Sequence, residues 1–123
     1  MSGYFRFLHW QVYKDSKILV DLIFTLVDQI PKQYRYELGS QLIRSSFSVS
    51  LNISEGSNKH SDKDFNHFLN IALGSLSETV AACDILKDKK LIKNEDFLKV
   101  LIIAESISKQ LGGFKKKLTK IND

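Results

Sequence analysis

Residues 94–121, NEDFLKVLIIAESISKQLGGFKKKLTKI, decide the fold of this 123-residue chain. Apolar side chains recur there at alternating steps of four and three residues, which places them on one face of a helix. That face contains Val100, Ala104, Ile107, Leu111, Phe114, Leu118 and Ile121. Asn94 is suited to cap the helix, because two acidic residues follow it. The stretch therefore predicts a long amphipathic helix, interrupted only by Gly112 and Gly113.

Three earlier segments have the same 3.6-residue periodicity. The first covers residues 7–30 and ends before Pro31, whose ring removes a backbone donor. The second covers residues 36–55, and the third begins with Ser61 as its N-cap and ends near Lys89. Their core faces are predicted at Val12, Ser16, Leu19, Ile23, Leu26 and Ile30, at Leu38, Leu42, Ser45, Val49 and Ile53, and at Phe65, Leu69, Ala72, Leu76, Val80, Cys83 and Leu86.

Two of these segments have unusual surfaces. The first has a second apolar stripe beside its core face, which suggests that part of it packs against another subunit. This stripe consists of Tyr13, Val20, Phe24 and Val27. The second segment is rich in serine, which favours close helix packing or hydroxyls that bond to a carbonyl one turn earlier. Residues 47–51 also alternate as a strand would, but no hairpin partner is visible.

Four such segments with short connections predict one all-α domain over residues 1–123, an antiparallel up-down-up-down four-helix bundle. One proline and six glycines disfavour a turn-rich β protein. A single cysteine excludes a disulfide scaffold and a zinc finger. No apolar run approaches the roughly 20 residues of a membrane span. Arg6 and His9 occupy the region where a signal peptide needs apolar residues, so a cytoplasmic protein is expected.

The net charge of +4 is unevenly distributed along the chain. Residues 1–86 contain eight basic and nine acidic side chains, whereas residues 87–123 contain ten basic and five acidic ones. Five lysines and no acid lie between Lys109 and Lys120. This segment is either a phosphate-binding surface or a solvated face with lysines that suit a helix C-terminus.

Enzyme and metal motifs are missing from the sequence. No glutamate has a histidine three residues later, and Asp64-x-x-His67 is a single pair, too little for a di-metal bundle. Cys83 lies on an apolar seam and is interpreted as a buried small hydrophobe. No phosphate loop or nucleophile motif is present. We therefore expect no enzyme activity, no metal and no cofactor.

Four polar residues near the middle of the chain form a further candidate site. Asn52 and Glu55 lie near the end of the second segment, and Ser75 and Glu78 lie in the third. Neighbouring helices could bring them together as a structural polar network, which must be well satisfied if it is buried. A ligand pocket is the alternative interpretation.

Two blocks of the sequence resemble a known family. Gln41-Leu42-Ile43-Arg44-Ser45-Ser46, continuing to Asn52-Ile53-Ser54-Glu55-Gly56, is similar to the signature of the four-helix-bundle proteins of the 23S rRNA intervening-sequence family. The stretch from Lys63-Asp64-Phe65 to Gly74-Ser75-Leu76 and Glu78 is similar to that family's second block. Ile43 stands where the family has a first arginine, Ser50 where many members have proline, and Ser54 where they have alanine.

The resemblance implies a homopentamer and, by similarity to accessory proteins of diversity-generating retroelements, binding of nucleic acid and a reverse transcriptase. The resulting hypothesis is a non-enzymatic oligomer that binds RNA or DNA by charge, with a pentamer raising +4 to about +20. Its candidate contacts are Arg44, Lys59, Lys115, Lys116, Lys117 and Lys120. The alternative is a scaffold that docks a partner protein, suggested by the wide apolar face of the first segment and by the aromatics Tyr4, Phe5, Phe7 and Trp10. Those aromatics could equally form a subunit interface.

Overall fold

The computed structural model describes the backbone of residues 4–122 and the side chains of residues 4–118. It contains four long helices, α1 (Gln11–Val27), α2 (Ser40–Ser57), α3 (Asp62–Asp88) and α4 (Asn94–Asn122). A 3-10 turn at Arg6–His9 precedes α1. A helical turn at Lys32–Tyr34 and a π-helical turn at Arg35–Gly39 lead into α2. Residues 4–122 contain no strand, so the strand alternative for residues 47–51 is wrong.

The ends of the helices follow local chemistry. Helix α1 ends at Val27, and the N–H groups of Gln29 and Ile30 then bond to carbonyls three residues earlier in a tight turn. Helical structure resumes at Lys32, immediately after Pro31, which is the N-cap residue with φ −52° and ψ 142°. The N-cap prediction at Ser61 is confirmed, since its Oγ accepts the N–H of Asp64 at 3.1 Å. The cap prediction at Asn94 is wrong by one residue, because α4 begins at Asn94 itself and the carbonyl of Lys93, the residue before it, accepts the N–H of Phe97.

The predicted core faces are confirmed by burial. Each of their described residues is buried except Leu38, Phe65, Val80 and Phe114, which are half-buried. The side chain of Ile121 lies outside the described residues. The residues of the second stripe of α1 differ in exposure: Val27 is buried, Tyr13 and Val20 are half-buried, and Phe24 is exposed. One hydrophobic core therefore lies between the four helices, and part of the second stripe faces away from it.

Each long helix contacts two others. Helix α1 packs against α2 and α4, and α3 packs against the same two helices. Hydroxyl groups join two of these pairs: Ser50 of α2 donates to Ser16 of α1 at 2.8 Å, and Thr79 of α3 donates to Ser45 of α2 at 2.7 Å. Ser45 also bonds to the carbonyl of Leu42, as the serine content of the second segment predicts. Small hydroxyl side chains thus let α2 approach both neighbours closely.

Helix α3 has an unusually apolar composition for its exposure. It is the one helix within residues 4–122 that is long and apolar enough to cross a membrane by length and composition, with a mean hydropathy of 1.3 over its most apolar 18 residues. Core helices of water-soluble proteins also meet that criterion. Only 33% of this window is buried inside the chain. Two large apolar side chains of α3, Ile71 and Ile85, are exposed.

Candidate nucleic-acid interface

An aromatic cluster holds one end of the bundle together. Trp10 precedes α1, Phe65 lies in the first turn of α3, and Phe114 lies near the end of α4. The ring centroid of Trp10 is 6.1 Å from that of Phe65 and 5.1 Å from that of Phe114, and the two phenylalanines are 5.8 Å apart. Aromatic rings at these separations attract each other beyond their area burial. This cluster fixes the beginning of α1, the beginning of α3 and the end of α4 at one place.

Arg6 attaches the N-terminal turn to this end of the bundle. Its guanidinium donates to the main-chain carbonyl of Ser57 at 3.0 Å, where the last carbonyls of α2 lack helical partners. The same guanidinium lies 5.7 Å from the ring centre of Trp10. Phe7 is buried and Trp10 is half-buried, so these two aromatics serve the packing of the chain itself, while Tyr4 and Phe5 are exposed.

Gly56 lets α2 and α3 cross closely at the same end. A Cβ atom at this position would lie 2.9 Å from the ring of Phe65 and 3.1 Å from the Cβ of Phe68. No side chain fits at the first of these distances without a shift of its neighbours. The close approach of α2 and α3 therefore explains the glycine at position 56, the last residue of the first sequence block.

Most of the candidate basic residues gather around this aromatic cluster. Lys59 pairs with Glu55 at 3.3 Å and lies 5.1 Å from the ring centre of Phe68. Lys115 is half-buried and donates to the side-chain carbonyl of Asn70, and Lys116 and Lys117 are exposed. The side chain of Lys120 lies outside the described residues. We call the surface formed by Arg6, Lys59, Lys115, Lys116 and Lys117 the basic end.

The fold concentrates the positive charge at this end. The three segments that meet here are residues 4–14, 55–68 and 110–118, and together they contain seven basic and three acidic side chains. These are Arg6, Lys14, Lys59, Lys63, Lys115, Lys116 and Lys117 against Glu55, Asp62 and Asp64. Residues 15–54 and 69–109 contain ten basic and ten acidic side chains. The excess within residues 4–118 therefore comes entirely from the segments at one end of the bundle.

Arg44 lies apart from the basic end. It is exposed on α2, thirteen positions before the end of this helix at Ser57, which corresponds to about 20 Å along the helix axis, and Lys59 lies beyond that end. It lines a shallow groove with Phe47 and Leu51. It forms no ion pair with any residue from 4 to 118. The structure thus brings together Lys59, Lys115, Lys116 and Lys117, but not Arg44.

The polar cluster between α2 and α3 consists of residues that differ in part from those predicted. The amide of Asn52 donates to the hydroxyl of Ser48 at 3.0 Å, and that hydroxyl lies 2.7 Å from the hydroxyl of Ser75. Glu55 and Glu78 are both exposed, where water solvates their carboxylates, and neither joins this cluster. Among the described side chains, no buried polar atom lacks a partner. The cluster joins α2 to α3, and sequence reasoning missed Ser48 as its central member.

The described residues contain no cluster of metal-binding side chains, and the cysteine of the chain is buried. Residues 4–118 contain no group of three or more His, Cys, Asp or Glu side chains that could hold a metal ion. Cys83 is fully buried, as predicted, and burial raises the pKa of its thiol to about 12. A protonated, inaccessible thiol is a poor nucleophile.

Comparison with known proteins agrees with this fold. The family model for the 23S rRNA-intervening sequence protein matches residues 9–113. The structure is similar to the crystal structure of a protein of unknown function from the S23 ribosomal protein family of Bacteroides thetaiotaomicron VPI-5482. The two are 27% identical with a TM-score of 0.78, and the match covers 85% of this chain and 98% of the other. No curated protein matches. Because the family model spans most of the sequence, the resemblance is confirmed, and the chain belongs to the 23S rRNA-intervening sequence protein family.

Proposed function

We propose that the protein is a non-enzymatic oligomer that binds RNA or DNA through the phosphates, using the basic end as its contact surface. The observation that supports this proposal is the division of charge: the segments at the basic end have four more basic than acidic side chains, and the other described segments are balanced. A field of one sign on one surface attracts a polyanion, whereas an even distribution does not.

The chemistry of the basic end favours contacts that do not depend on base sequence. Lys116 and Lys117 present compact ammonium groups on flexible stems, which bind phosphate as point charges. The rings of Trp10, Phe65 and Phe114 pack on each other and are half-buried, so they offer little face for base stacking. The proposed contacts are Lys59, Lys115, Lys116 and Lys117, with Lys120 as a sequence-based candidate and Arg44 outside the surface.

The chain is proposed to be an up-down-up-down antiparallel bundle that forms a homopentamer in the cytoplasm. Two contacts support an antiparallel direction of α2 and α3. Ser45 contacts Thr79 and Ser48 contacts Ser75, so residue numbers rise along α2 as they fall along α3. Exposed apolar side chains away from the basic end support self-association. Five copies would multiply the net charge to about +20, which strengthens the attraction of nucleic acid.

Electrophoretic mobility shift with a duplex DNA and a structured RNA tests the proposal directly. We expect retardation of both at low salt, with affinity that falls steeply as salt rises and depends little on sequence. Absence of any shift at low salt would overturn it.

A scaffold that docks a partner protein, such as a reverse transcriptase, is the second candidate. Tyr4 and Phe5 support it, because both are exposed beside the basic end. A purified stoichiometric complex with one partner that forms equally well after nuclease treatment would favour this function over nucleic-acid binding. A complex that nuclease dissolves would favour the first proposal.

A further inference from the structure

Two aromatic side chains are exposed beside the basic end. The exposed aromatic residues within residues 4–118 are Tyr4, Phe5, Phe24, Tyr34, Tyr36 and Phe47. The last four of them lie outside the segments that form the basic end. Tyr4 and Phe5, which are 83% and 55% exposed, directly precede Arg6 in the sequence. An exposed ring next to a cation offers a nucleic acid a flat apolar face together with a partner for phosphate.

Contacts with the bundle hold these rings in place. The ring centroid of Phe5 is 6.3 Å from that of Phe7 in an edge-to-face arrangement. Phe7 is buried, and its own centroid is 4.8 Å from that of Tyr13 on α1. The ring of Tyr4 in turn lies 6.4 Å from that of Phe5. A series of ring contacts therefore connects the exposed side chains to the core, which reduces the conformational entropy that they would lose on binding a ligand.

The charge around these rings suits a polyanion. Residues 4–14 contain two basic side chains and no acidic one. The guanidinium of Arg6 lies 5.7 Å from the ring centre of Trp10, and that ring is 5.1 Å from the ring of Phe114, the residue before Lys115. The exposed rings are therefore joined to the lysines of α4 by a short series of contacts. A strand whose phosphates lie on the basic end would have its bases close to Tyr4 and Phe5.

Stacking on these rings requires bases that are not paired. The bases of a duplex already stack on their neighbours, so a protein reaches only their edges and the phosphates. The faces of unpaired bases are accessible to aromatic side chains, and this stacking tolerates any sequence because every base has a π-face. We propose that Tyr4 and Phe5 stack on unpaired bases, which makes single-stranded RNA or DNA the preferred substrate of the basic end. This inference rests on the proposed binding of nucleic acid and adds the class of substrate to it.

Tyr4→Leu and Phe5→Leu together test the assignment. Leucine keeps an uncharged apolar side chain at both positions and removes the π-face. Fluorescence anisotropy measures the affinity for labelled oligo(dT) and for an oligo(dT)·oligo(dA) duplex of the same length. We expect wild type to bind the single strand more tightly than the duplex, with a preference that grows as salt weakens the phosphate contacts. The variant should bind the single strand at least about fivefold more weakly, the lower limit for one stacked base, and bind the duplex as wild type does.

Tyr34→Leu and Tyr36→Leu together are the matched control. These two tyrosines are 47% and 84% exposed, close to the values for Phe5 and Tyr4. They lie in the turns that lead into α2, whereas the basic end lies beyond the other end of that helix. The control removes the same number of exposed rings, so both affinities should stay at the wild-type values, and far-UV circular dichroism checks the fold of both variants. Equal loss of single-strand affinity in the control would overturn the inference.

Photochemical crosslinking of the unmodified protein gives a second readout. Single-stranded DNA that contains iodouracil crosslinks under long-wavelength ultraviolet light to aromatic side chains that stack on this base. We expect mass spectrometry to find the crosslink on Tyr4 or Phe5, in the tryptic peptide that ends at Arg6.

The possible failures are distinguishable. Crosslinks confined to other residues, or a wild type that binds the duplex at least as tightly as the single strand at every salt concentration, would overturn this inference and leave binding by charge intact. Absence of binding to either probe at low salt would contradict the proposed function itself. Unchanged single-strand affinity of the Tyr4→Leu and Phe5→Leu variant, with loss of a nuclease-resistant protein complex, would overturn the inference and assign the two rings to the scaffold function.

Discussion

The carboxylate of Asp15 on α1 accepts a hydrogen bond from the side-chain amide of Gln110 on α4 at 2.7 Å. Gln11 donates to its other oxygen, Oδ1, at 2.8 Å, and the hydroxyl of Ser106 donates to Oδ2, the oxygen that Gln110 contacts, at 3.4 Å. Asp15 is buried, yet it forms no ion pair with any side chain in residues 4–118. Two amides and a hydroxyl therefore provide the hydrogen bonds that replace its lost hydration. This contact joins α1 to α4 through two residues that are 95 positions apart in the sequence.

Gln110→Ala is expected to lower the free energy of unfolding by about 1.5–3 kcal/mol, the range for hydrogen bonds to charged groups. The substitution removes one of the donors that compensate for the burial of the Asp15 carboxylate. Urea unfolding at a fixed protein concentration measures the change. Gln41→Ala serves as the control, because Gln41 is exposed on α2 and makes no such contact. Equal stability of the two variants would contradict the assigned role of Gln110.

Lys115→Gln, Lys116→Gln and Lys117→Gln together are expected to weaken binding of RNA and duplex DNA to a similar degree for all sequences. The slope of log affinity against log salt should fall by about 1 for each phosphate that the variant no longer neutralises. A titration over a series of salt concentrations measures both quantities.

The matched control for this variant removes the same charge elsewhere. Lys89→Gln, Lys93→Gln and Lys99→Gln together change three exposed lysines outside the basic end. This control should reduce affinity through net charge but leave the salt slope close to that of wild type. If both triple variants change the slope equally, the basic end is not the contact surface.

Gly56→Ala and Gly113→Ala are expected to change stability in opposite directions. The new methyl group at position 56 would lie 2.9 Å from the ring of Phe65, and such overpacking costs about 1–3 kcal/mol. At position 113 it would meet no atom within 4 Å, so alanine should stabilise α4 by up to about 1 kcal/mol. Thermal unfolding of both variants measures the difference. A stabilised Gly56→Ala variant would show that the close approach of α2 and α3 is not needed.

The buried thiol of Cys83 gives a prediction about pH. Its pKa is raised from 9.0 to about 12, so the unfolded chain loses this proton at lower pH than the folded chain does. The contribution of this group to stability is present below pH 9 and is lost as the pH rises from 9 towards 12. We expect a thiol reagent at about pH 8 to label the folded protein far more slowly than the urea-unfolded protein. Rapid labelling of the folded protein would contradict the burial.

The helices and their core faces are predictable from the sequence because burial and helical periodicity leave the same pattern in it. Leu19, Ile23 and Leu26 on α1 and Ile107 and Leu111 on α4 are buried where the spacing predicts. The polar contacts between helices are not predictable in this way. Asp15 resembles a surface acid in its local sequence, and only the packing of α4 brings Gln110 to it.

The candidate site is also predictable from the sequence only in part. A run of lysines at residues 115–117 is visible in the sequence, and so is Lys59. Their common location depends on Trp10, Phe65 and Phe114, which bring three distant segments together. Arg44 is a cation like the lysines, but its position in the second turn of α2, near the start of that helix, separates it from them. The sequence gives the number of charged side chains, whereas the surface on which they lie depends on the fold.

The contact of Trp10 with Phe114 also matters for work with the protein. It places the first described residues beside the last turns of α4, so a label attached at residues 4–9 would lie close to the basic end. A label with acidic groups would neutralise part of that surface. A fluorophore for binding measurements is therefore better attached through a cysteine introduced in the turn between α3 and α4, at the opposite end.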